Sequence, residues 1–329
     1  MVDVLDSGEG TLFMDPDPDK ARDFFRKKSR KPVNKLMSAK EAVEKFVPDG
    51  SYIGSGGFGG VRIAAELLHE IVRQRKKNLS LAGHTTTHDY QILMAGKCVS
   101  RVDVAYIVGL EARGLSPNAR RVTQSGDIEL VEWTNAALAW RLRAAVMGVP
   151  FIPARIMLGT DTYKYSGAKT IRCPFTGKKL LALPALYPDV SLIHVHRCDS
   201  YGNAQIDGII VVDEDLARAS KHVIISTEKL ISNDEIRQNP DKTNIPFYCV
   251  DAVVESPYGC YPGNMPYEYF SDEEHIQEWL TVEKDEEKFA AFLEKNIYGV
   301  KTFAEYIEIN GGVAKLKKLV AQEHLINDK

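Results

Sequence analysis

The chain has 329 residues, of which 44% are hydrophobic and 26% charged, and this composition is typical of a globular protein with one large domain or two small ones. Its formal net charge of −3 gives no electrostatic case for binding nucleic acid, no apolar run approaches the length that spans a membrane, and the first residues carry no basic-then-apolar signal pattern. The five cysteines are scattered and include no C-x-x-C pair, which is typical of reduced thiols, so we expect a cytoplasmic protein.

Residues 1–37 are predicted to form an N-terminal arm. Acidic residues and prolines come first and a basic run follows, so we expect this arm either to be flexible or to wrap around a neighbour. Ordered structure is predicted to start at Ser38, because Ser38 and Glu41 form a capping-box pattern ahead of an apolar helical stretch. The turn "PDG" at 48–50 then leads into the strand "SYIGSG".

Beyond this strand, apolar β-branched runs alternate with helical stretches. The runs "LSLAG", "VDVAYIV", "VSLIHVH", "KHVIIS" and "CVDAVV" are typical of buried strands in a parallel sheet. The stretch "TNAALAWRLRAAVMG" predicts a helix that ends at Gly148. We therefore predict an α/β domain over residues 38–270, an open sheet with helices on both faces. The acidic helical pattern that follows predicts a helical C-terminal appendage over residues 271–329.

The stretch "GSGGFGGVR" contains a G-x-G-x-x-G pattern formed by Gly54, Gly56 and Gly59. It lies on a predicted strand-to-helix turn, where backbone N–H groups and a helix N-terminus can meet an anion. A dinucleotide site also needs an acid at the end of the second strand, and "LSLAGH" ends without one. We therefore expect this turn to approach a different ligand or a partner chain; the alternative is that the glycines only permit a tight turn.

Two sets of histidines have spacings that could hold a metal ion. His84 and His88 form H-x-x-x-H, but three threonines separate them and His84 directly follows a strand, so a pocket-lining loop is the alternative. His194 and His196 alternate on a strand and therefore share a face, and with Asp199 they are either metal ligands or hydrogen-bonded sheet residues. We predict no metal site.

Three acids lie at or beyond predicted strand ends. Glu111, Glu132 and Glu228 are either acid–base groups or surface and salt-bridged acids. The stretch "TGKK" at 176–179 lacks the residues of a nucleotide-hydrolase phosphate loop, and no G-x-S-x-G elbow or protease-like cysteine signature occurs. The residues alone thus predict an α/β protein with a ligand-facing glycine turn at the carboxyl end of a strand.

Several stretches resemble the α subunits of the family I coenzyme A transferases, above all the glutaconate CoA-transferases. They are "GGF" at Gly56–Phe58, "GVPFIPARIMLGTD", and residues 226–263 almost end to end. The resemblance covers roughly residues 38–270. It departs from the family signature after "GGF", because Arg62 and Ile63 stand near the places of the usual Gly and Pro.

The resemblance implies a CoA-transferase fold, shared with the sugar-phosphate isomerases, in which α and β subunits pack around the active site. It also implies a ping-pong mechanism: a glutamate attacks acyl-CoA, the resulting anhydride takes back CoA as a glutamyl thioester, and a carboxylic acid then collects the CoA. N–H donors are needed to face the tetrahedral oxyanion. The CoA thioester is a substrate, and no permanently bound cofactor is expected.

The nucleophile of the two-subunit relatives lies in a Glu-Asn-Gly-type turn of the β subunit. The nearest match here is "EINGG" at 308–312, where Ile309 separates Glu308 from Asn310. The resemblance therefore implies that this chain carries no catalytic residue. It implies a β-subunit partner of similar fold, in an α2β2 or larger hetero-oligomer.

The resemblance also places one side of the CoA site on this chain. We expect it to be lined by Gly56, Gly57, Phe58, Gly59, Arg62, His84, Thr85, Glu111 and Asn135. Ring-opening relatives, as we align them, carry a glutamate at or near position 135, and an amide cannot act as a general base. The alternative is a structural role, in which Asn135 or Thr134 caps the following helix.

Two further classes of function stay open at this point. One is a related enzyme on the same scaffold, either a ring-opening acyl-CoA hydrolase or a decarboxylase. The other is a ligand sensor with an isomerase-like fold, which predicts a fused DNA-binding helix-turn-helix, and the N-terminal arm shows none.

Overall fold

A computed structural model describes residues 3–85, 87–107 and 113–325 of the chain. The strands are β1 (Val4–Ser7), β2 (Tyr52–Ser55), β3 (Leu79–His84), β4 (Val99–Ala105), β5 (Glu129–Glu132), β6 (Phe151–Ala154), β7 (Lys169–Arg172), β8 (Lys179–Pro184), β9 (Val190–Asp199), β10 (Ala204–Gln205), β11 (His222–Ile231), β12 (Thr243–Ile245) and β13 (Ala252–Glu255). The helices are α1 (Pro18–Lys27), α2 (Ala39–Phe46), α3 (Ala65–Arg73), α4 (His88–Ala95), α5 (Pro117–Ser125), α6 (Asn135–Met147), α7 (Asp161–Lys164), α8 (Asp213–Ala219), α9 (Asn233–Gln238), α10 (Glu273–Val282), α11 (Glu286–Leu293), α12 (Phe303–Ile309) and α13 (Gly312–Glu323).

The main sheet is parallel through β13, β11, β9, β2, β3, β4 and β5, in that spatial order. Successive residues of β9 face opposite sides: Leu192 packs in a core with α3 and α4, whereas Ile193 packs in a second core with α6 and α8. The predicted open α/β sheet with helices on both faces is therefore confirmed. Because the strands are parallel, their carboxyl ends meet at one edge, where the glycine turn also lies.

A second, antiparallel sheet was not predicted from the sequence. Its strand order is β1, β7, β8 and β6. Strand β1 belongs to the N-terminal arm, whose described part packs against the chain's own domain. Further along the arm, Lys28 pairs with Asp251 at 2.7 Å, and Val253 of the edge strand β13 exchanges backbone hydrogen bonds with Lys35 and Met37. The arm thus covers an edge that would otherwise expose unpaired backbone groups.

The C-terminal segment is helical, as predicted, with α10 to α13 following one another. The apolar side chains of Trp279, Phe289 and Phe292 are buried in the core that also contains α3 and α4. In the described part of the chain, no helix combines the length and apolar character needed to cross a membrane.

Candidate active-site surface

The glycine turn links β2 to α3, as the sequence predicts. Gly57 and Gly59 have φ of +82° and +62°, in the left-handed region that favours glycine. A Cβ built on Gly57 would lie 2.5 Å from the carbonyl oxygen of Val61, so this position excludes any side chain on two grounds. The glycines therefore permit a tightly folded turn at the carboxyl end of β2.

The backbone amides of residues 56–59 in this turn all donate within the chain. Those of Gly56, Gly57, Phe58 and Gly59 bind the Leu192 carbonyl at 2.9 Å, Asp213 Oδ1 at 2.9 Å, the Val61 carbonyl at 3.0 Å and the Thr85 carbonyl at 3.0 Å, in that order. The expectation that N–H groups of the turn meet an anion therefore needs correction for residues 56–59. These N–H groups hold the fold of the turn, so residues 56–59 offer a ligand their backbone surface but no free N–H donor.

Arg62 supports the turn from beneath. Its side chain is fully buried, and its guanidinium binds both carboxylate oxygens of Asp213, at 2.8 and 3.2 Å, and the Ile209 carbonyl at 2.8 Å. Burial alone would raise the pKa of Asp213, but the Arg62 charge and its hydrogen bonds outweigh this effect and lower that pKa. The expectation that Arg62 lines the site is thus revised, because this buried cation pairs with Asp213 and holds the turn instead, although its Nε has no partner in the described residues.

The segment after β13 braces the same turn from behind. The amide of Asn264 donates to the Gly60 carbonyl at 2.8 Å, and the Asn264 carbonyl accepts from the Arg62 amide at 2.9 Å. A Cβ on Gly263 would lie 2.5 Å from the Gly60 oxygen. The glycine turn and the end of the stretch 226–263, whose resemblance to the family is specific, are therefore one structural unit.

A buried hydrogen-bond network anchors this bracing segment. His194 binds Ser226 Oγ at 2.8 Å through Nδ1 and Glu228 Oε1 at 2.9 Å through Nε2. Glu228 also accepts from the Tyr269 hydroxyl at 2.5 Å and, through its other oxygen, from a backbone amide at 2.6 Å. Glu228 lies within β11 rather than at its end, so the prediction that it stands at a strand end is wrong.

His194, Glu228 and Cys260 are the one group in the described residues whose donor atoms are close enough for a metal ion, within 4.8 Å of one another. Each nitrogen of His194 and each oxygen of Glu228 already has a partner. Burial also raises the pKa of the Cys260 thiol, which keeps it protonated and a poor ligand. The network is thus complete as a set of hydrogen bonds.

The histidine sets singled out in the sequence do not assemble into a metal centre. His84 ends β3 and His88 begins α4, so the two do not share a helix face. His196 binds the Pro266 carbonyl and accepts from the Asp207 amide. Asp199 instead accepts from the backbone amides of residues 201–203.

The carboxyl end of β3 lies against the glycine turn. The rings of Phe58 and His84 are 5.6 Å apart, and burial lowers the pKa of His84, which favours the neutral imidazole. Thr85, directly after the strand, has φ of +53°. The Nδ1 of His84, the hydroxyl of Thr85 and the Oδ1 of Asn135 are buried atoms that lack a hydrogen-bond partner within the described structure. The structure therefore gathers four of the predicted lining residues at one edge of the sheet.

Asn135 is not the helix cap. Thr134 occupies the N-cap of α6, and its hydroxyl accepts from the Ala137 amide at 3.2 Å, which leaves Asn135 as the first helical residue.

Glu111 lies outside the described residues. Glu132 ends β5, as predicted, and Glu308 is an exposed residue of α12.

Comparison with known proteins decides the family. The sequence profile of coenzyme A transferases matches residues 36–256. The chain is 32% identical over 275 residues to one subunit of the 3-oxoadipate CoA-transferase of Pseudomonas knackmussii, which covers 82% of this chain and 96% of that protein. This chain belongs to the coenzyme A transferase family.

Solved structures support this family assignment. One subunit of the glutaconate CoA-transferase of Acidaminococcus fermentans is 30% identical over 292 residues, which covers 84% of this chain and 91% of that one. The crystal structure of that enzyme superposes with a TM-score of 0.83, 29% identity, and coverage of 87% and 95%. A structure of the decarboxylase AibA/AibB superposes with a TM-score of 0.71 and 29% identity, covering 78% of this chain and 97% of that one.

Sequence reasoning missed two parts of this coenzyme A transferase surface. Asp213 holds both the glycine turn and Arg62, yet it stands in "VVDEDLA", where nothing in the sequence distinguishes it from the neighbouring acids. Gly263 ends the stretch 226–263 that resembles the family and Asn264 follows it directly, and this resemblance is the one indication that could have pointed to them. Contact of the lining residues with acyl-CoA stays a prediction.

Proposed function

We propose that this chain is the α subunit of an enzyme that transfers CoA between an acyl-CoA and a short carboxylic acid, with the glutamate nucleophile supplied by a β subunit. The observation that carries this proposal is an incomplete strand-end surface. Thr85 and Asn135 present buried polar atoms without partners in the described chain, and the sequence lacks a Glu-Asn-Gly turn. A second subunit that covers this edge closes the site around these atoms and supplies the nucleophile.

The named relatives support a two-subunit enzyme, because each of the two transferase relatives is one subunit of its enzyme rather than the whole. The ping-pong scheme follows from the family resemblance, and glutaconate or another short acid is the acceptor class we propose. CoA thioester enters as a substrate, without a resident cofactor. The assembly we propose is a heterodimer doubled or further multiplied by symmetry.

The alternatives on the same scaffold are a ring-opening hydrolase and a decarboxylase. Purified α–β complex is incubated with glutaryl-CoA in the presence and absence of acetate, and the products are separated by chromatography. Transfer predicts acetyl-CoA that forms only when acetate is present. Free CoA or a decarboxylated acyl-CoA that forms equally without acetate contradicts the proposed transfer.

A further inference from the structure

Thr85 adopts a backbone conformation that its side chain disfavours. Its φ of +53° places a β-branched residue in the left-handed region, where such residues are genuine outliers. Strained positions of this kind persist when the surroundings hold them and cluster at binding and catalytic sites. The hydrogen bond from the Gly59 amide to the Thr85 carbonyl, at 3.0 Å, is one contact that holds this backbone in place.

No hydrogen bond of the Thr85 side chain within the described residues compensates for this strained conformation. Thr85 is only 5% exposed, and its hydroxyl has no hydrogen-bond partner in the described part of the chain. A buried hydroxyl without a partner is destabilising. A smaller residue that tolerates left-handed backbone would remove both costs, so the protein carries a strained and unsatisfied group at this point.

The surroundings indicate what the hydroxyl is for. The amides of Gly56–Gly59 are all consumed within the chain, so that part of the turn has no N–H group to give to a substrate. Thr85 adjoins this turn at the carboxyl end of β3 through its hydrogen bond with Gly59, and the rings of the preceding residues, Phe58 and His84, are 5.6 Å apart. Its hydroxyl is therefore a donor on this edge whose hydrogen is not already committed.

We propose that the Thr85 hydroxyl donates a hydrogen bond to an acyl oxygen of the substrate, either the thioester carbonyl or the carboxylate of the acid, once the β subunit completes the site. This inference rests on the proposed function. An acyl oxygen is an acceptor without hydrogens, so it matches a hydroxyl donor and relieves the unsatisfied group. The left-handed backbone is then the means of aiming the hydroxyl.

The test uses four substitutions in the purified α–β complex. Thr85→Val keeps the shape and the β-branch but removes the hydroxyl, Thr85→Ser keeps the hydroxyl, and Thr85→Gly removes both the hydroxyl and the strain. Thr87→Val is the matched control, because its hydroxyl is also buried and unpartnered within the described chain but lines a cavity of about 20 Å³, the size of one water, to which Thr85 does not contribute. Transfer from glutaryl-CoA to acetate and the melting temperature are measured for each.

We expect Thr85→Val and Thr85→Gly to lower turnover by about 100-fold, as removal of one donor from a developing oxyanion does. Thr85→Ser and Thr87→Val keep turnover within a few-fold of wild type, and Thr85→Gly melts at a higher temperature than wild type. Separate kcat/KM values for glutaryl-CoA and acetate show which acyl oxygen is bound. Wild-type turnover in Thr85→Val overturns the inference, as does loss of α–β assembly without a turnover defect in the remaining complex.

Failure of the proposed function gives a different pattern. If the wild-type complex does not transfer CoA, calorimetric binding of glutaryl-CoA to the wild type and to Thr85→Val takes the place of turnover. Weaker binding by the variant then supports the role of Thr85 although the proposed transfer fails. Equal binding by both proteins overturns the role of Thr85 as well.

Discussion

Asp213 binds the Gly57 amide and the Arg62 guanidinium at the same time, so one carboxylate fixes both ends of the glycine turn. Neither Arg62 nor Asp213 has any exposed side-chain surface. A pair this deeply buried depends on both of its members, because a charge left alone there has no water to compensate it.

Removing this carboxylate is predicted to destabilise the protein strongly. Asp213→Ala leaves the Arg62 charge buried and unpaired, and we expect a loss of about 3–5 kcal/mol in the free energy of unfolding. The matched control is Glu44→Gln, which breaks the exposed Lys40–Glu44 pair and should cost below about 0.5 kcal/mol. Urea denaturation of both variants measures the difference, and equal losses would contradict the supporting role of Asp213.

Substitution of Gly57 is predicted to affect stability as well as activity. From the sequence alone, we expect Gly57→Val to reduce activity more than stability, but the structure places the clash inside the chain, at the Val61 carbonyl. For the test we use Gly57→Ala, with Gly177→Ala as its control. Gly177 has a similar φ of +67°, and a Cβ built on it meets no atom within 4 Å, so it isolates the left-handed penalty of roughly 1–2 kcal/mol.

Gly57→Ala should therefore lose clearly more unfolding free energy than Gly177→Ala, and transfer activity should fall only in the former. Thermal melting and turnover of the two variants, measured side by side, check this expectation. A Gly57→Ala protein as stable and as active as the control would show that the turn does not need its observed conformation.

The amide at position 135 leads to a prediction about chemistry. An amide cannot take up a proton as a general base, so the α–β complex should not hydrolyse cyclic β-keto acyl-CoA. Chromatographic detection of the ring-opened product, with an uncatalysed blank and an Asn135→Ala complex as controls, measures this directly. Efficient ring opening that disappears in Asn135→Ala would overturn the prediction.

Asp89 predicts a specific dependence of stability on pH. Burial raises the pKa of this carboxyl to about 6, although amide groups of Thr87 and Tyr90 donate to it. Since its pKa is higher in the folded state than in the unfolded state, its contribution is fully present below about pH 4 and is lost as the pH rises through 6. The expected change across this window is up to about 3 kcal/mol.

The measurement compares wild type with Asp89→Asn, whose amide oxygen can still accept from the same backbone groups. The unfolding free energy of wild type, relative to that of the variant, should be lower at pH 7 than at pH 4. A difference between the two proteins that does not change with pH would show that Asp89 is ionised in the folded state throughout.

The main sheet could be predicted from the sequence because parallel strands buried on both faces are continuous apolar runs, as in "VSLIHVH" and "KHVIIS". The second sheet could not, because strands such as β7 (Lys169–Arg172) are short and basic and have no such run. Likewise, no local pattern shows that Asp213 consumes the Gly57 amide, since the two residues are brought together only by the fold. The strand-end position of His84 and Thr85 follows from the sequence, but the left-handed backbone of Thr85 does not.

Under the proposed function, this chain supplies one side of a shared site and its partner supplies the nucleophile. Purified α–β complex is incubated with glutaryl-CoA, the glutamyl-CoA thioester is reduced with borohydride, and the modified residue is located by mass spectrometry of each subunit. We predict a reduced glutamate on the β subunit, with this chain unmodified and inactive when incubated alone. A modified glutamate on this chain, or CoA transfer by this chain without its partner, would contradict the proposed function.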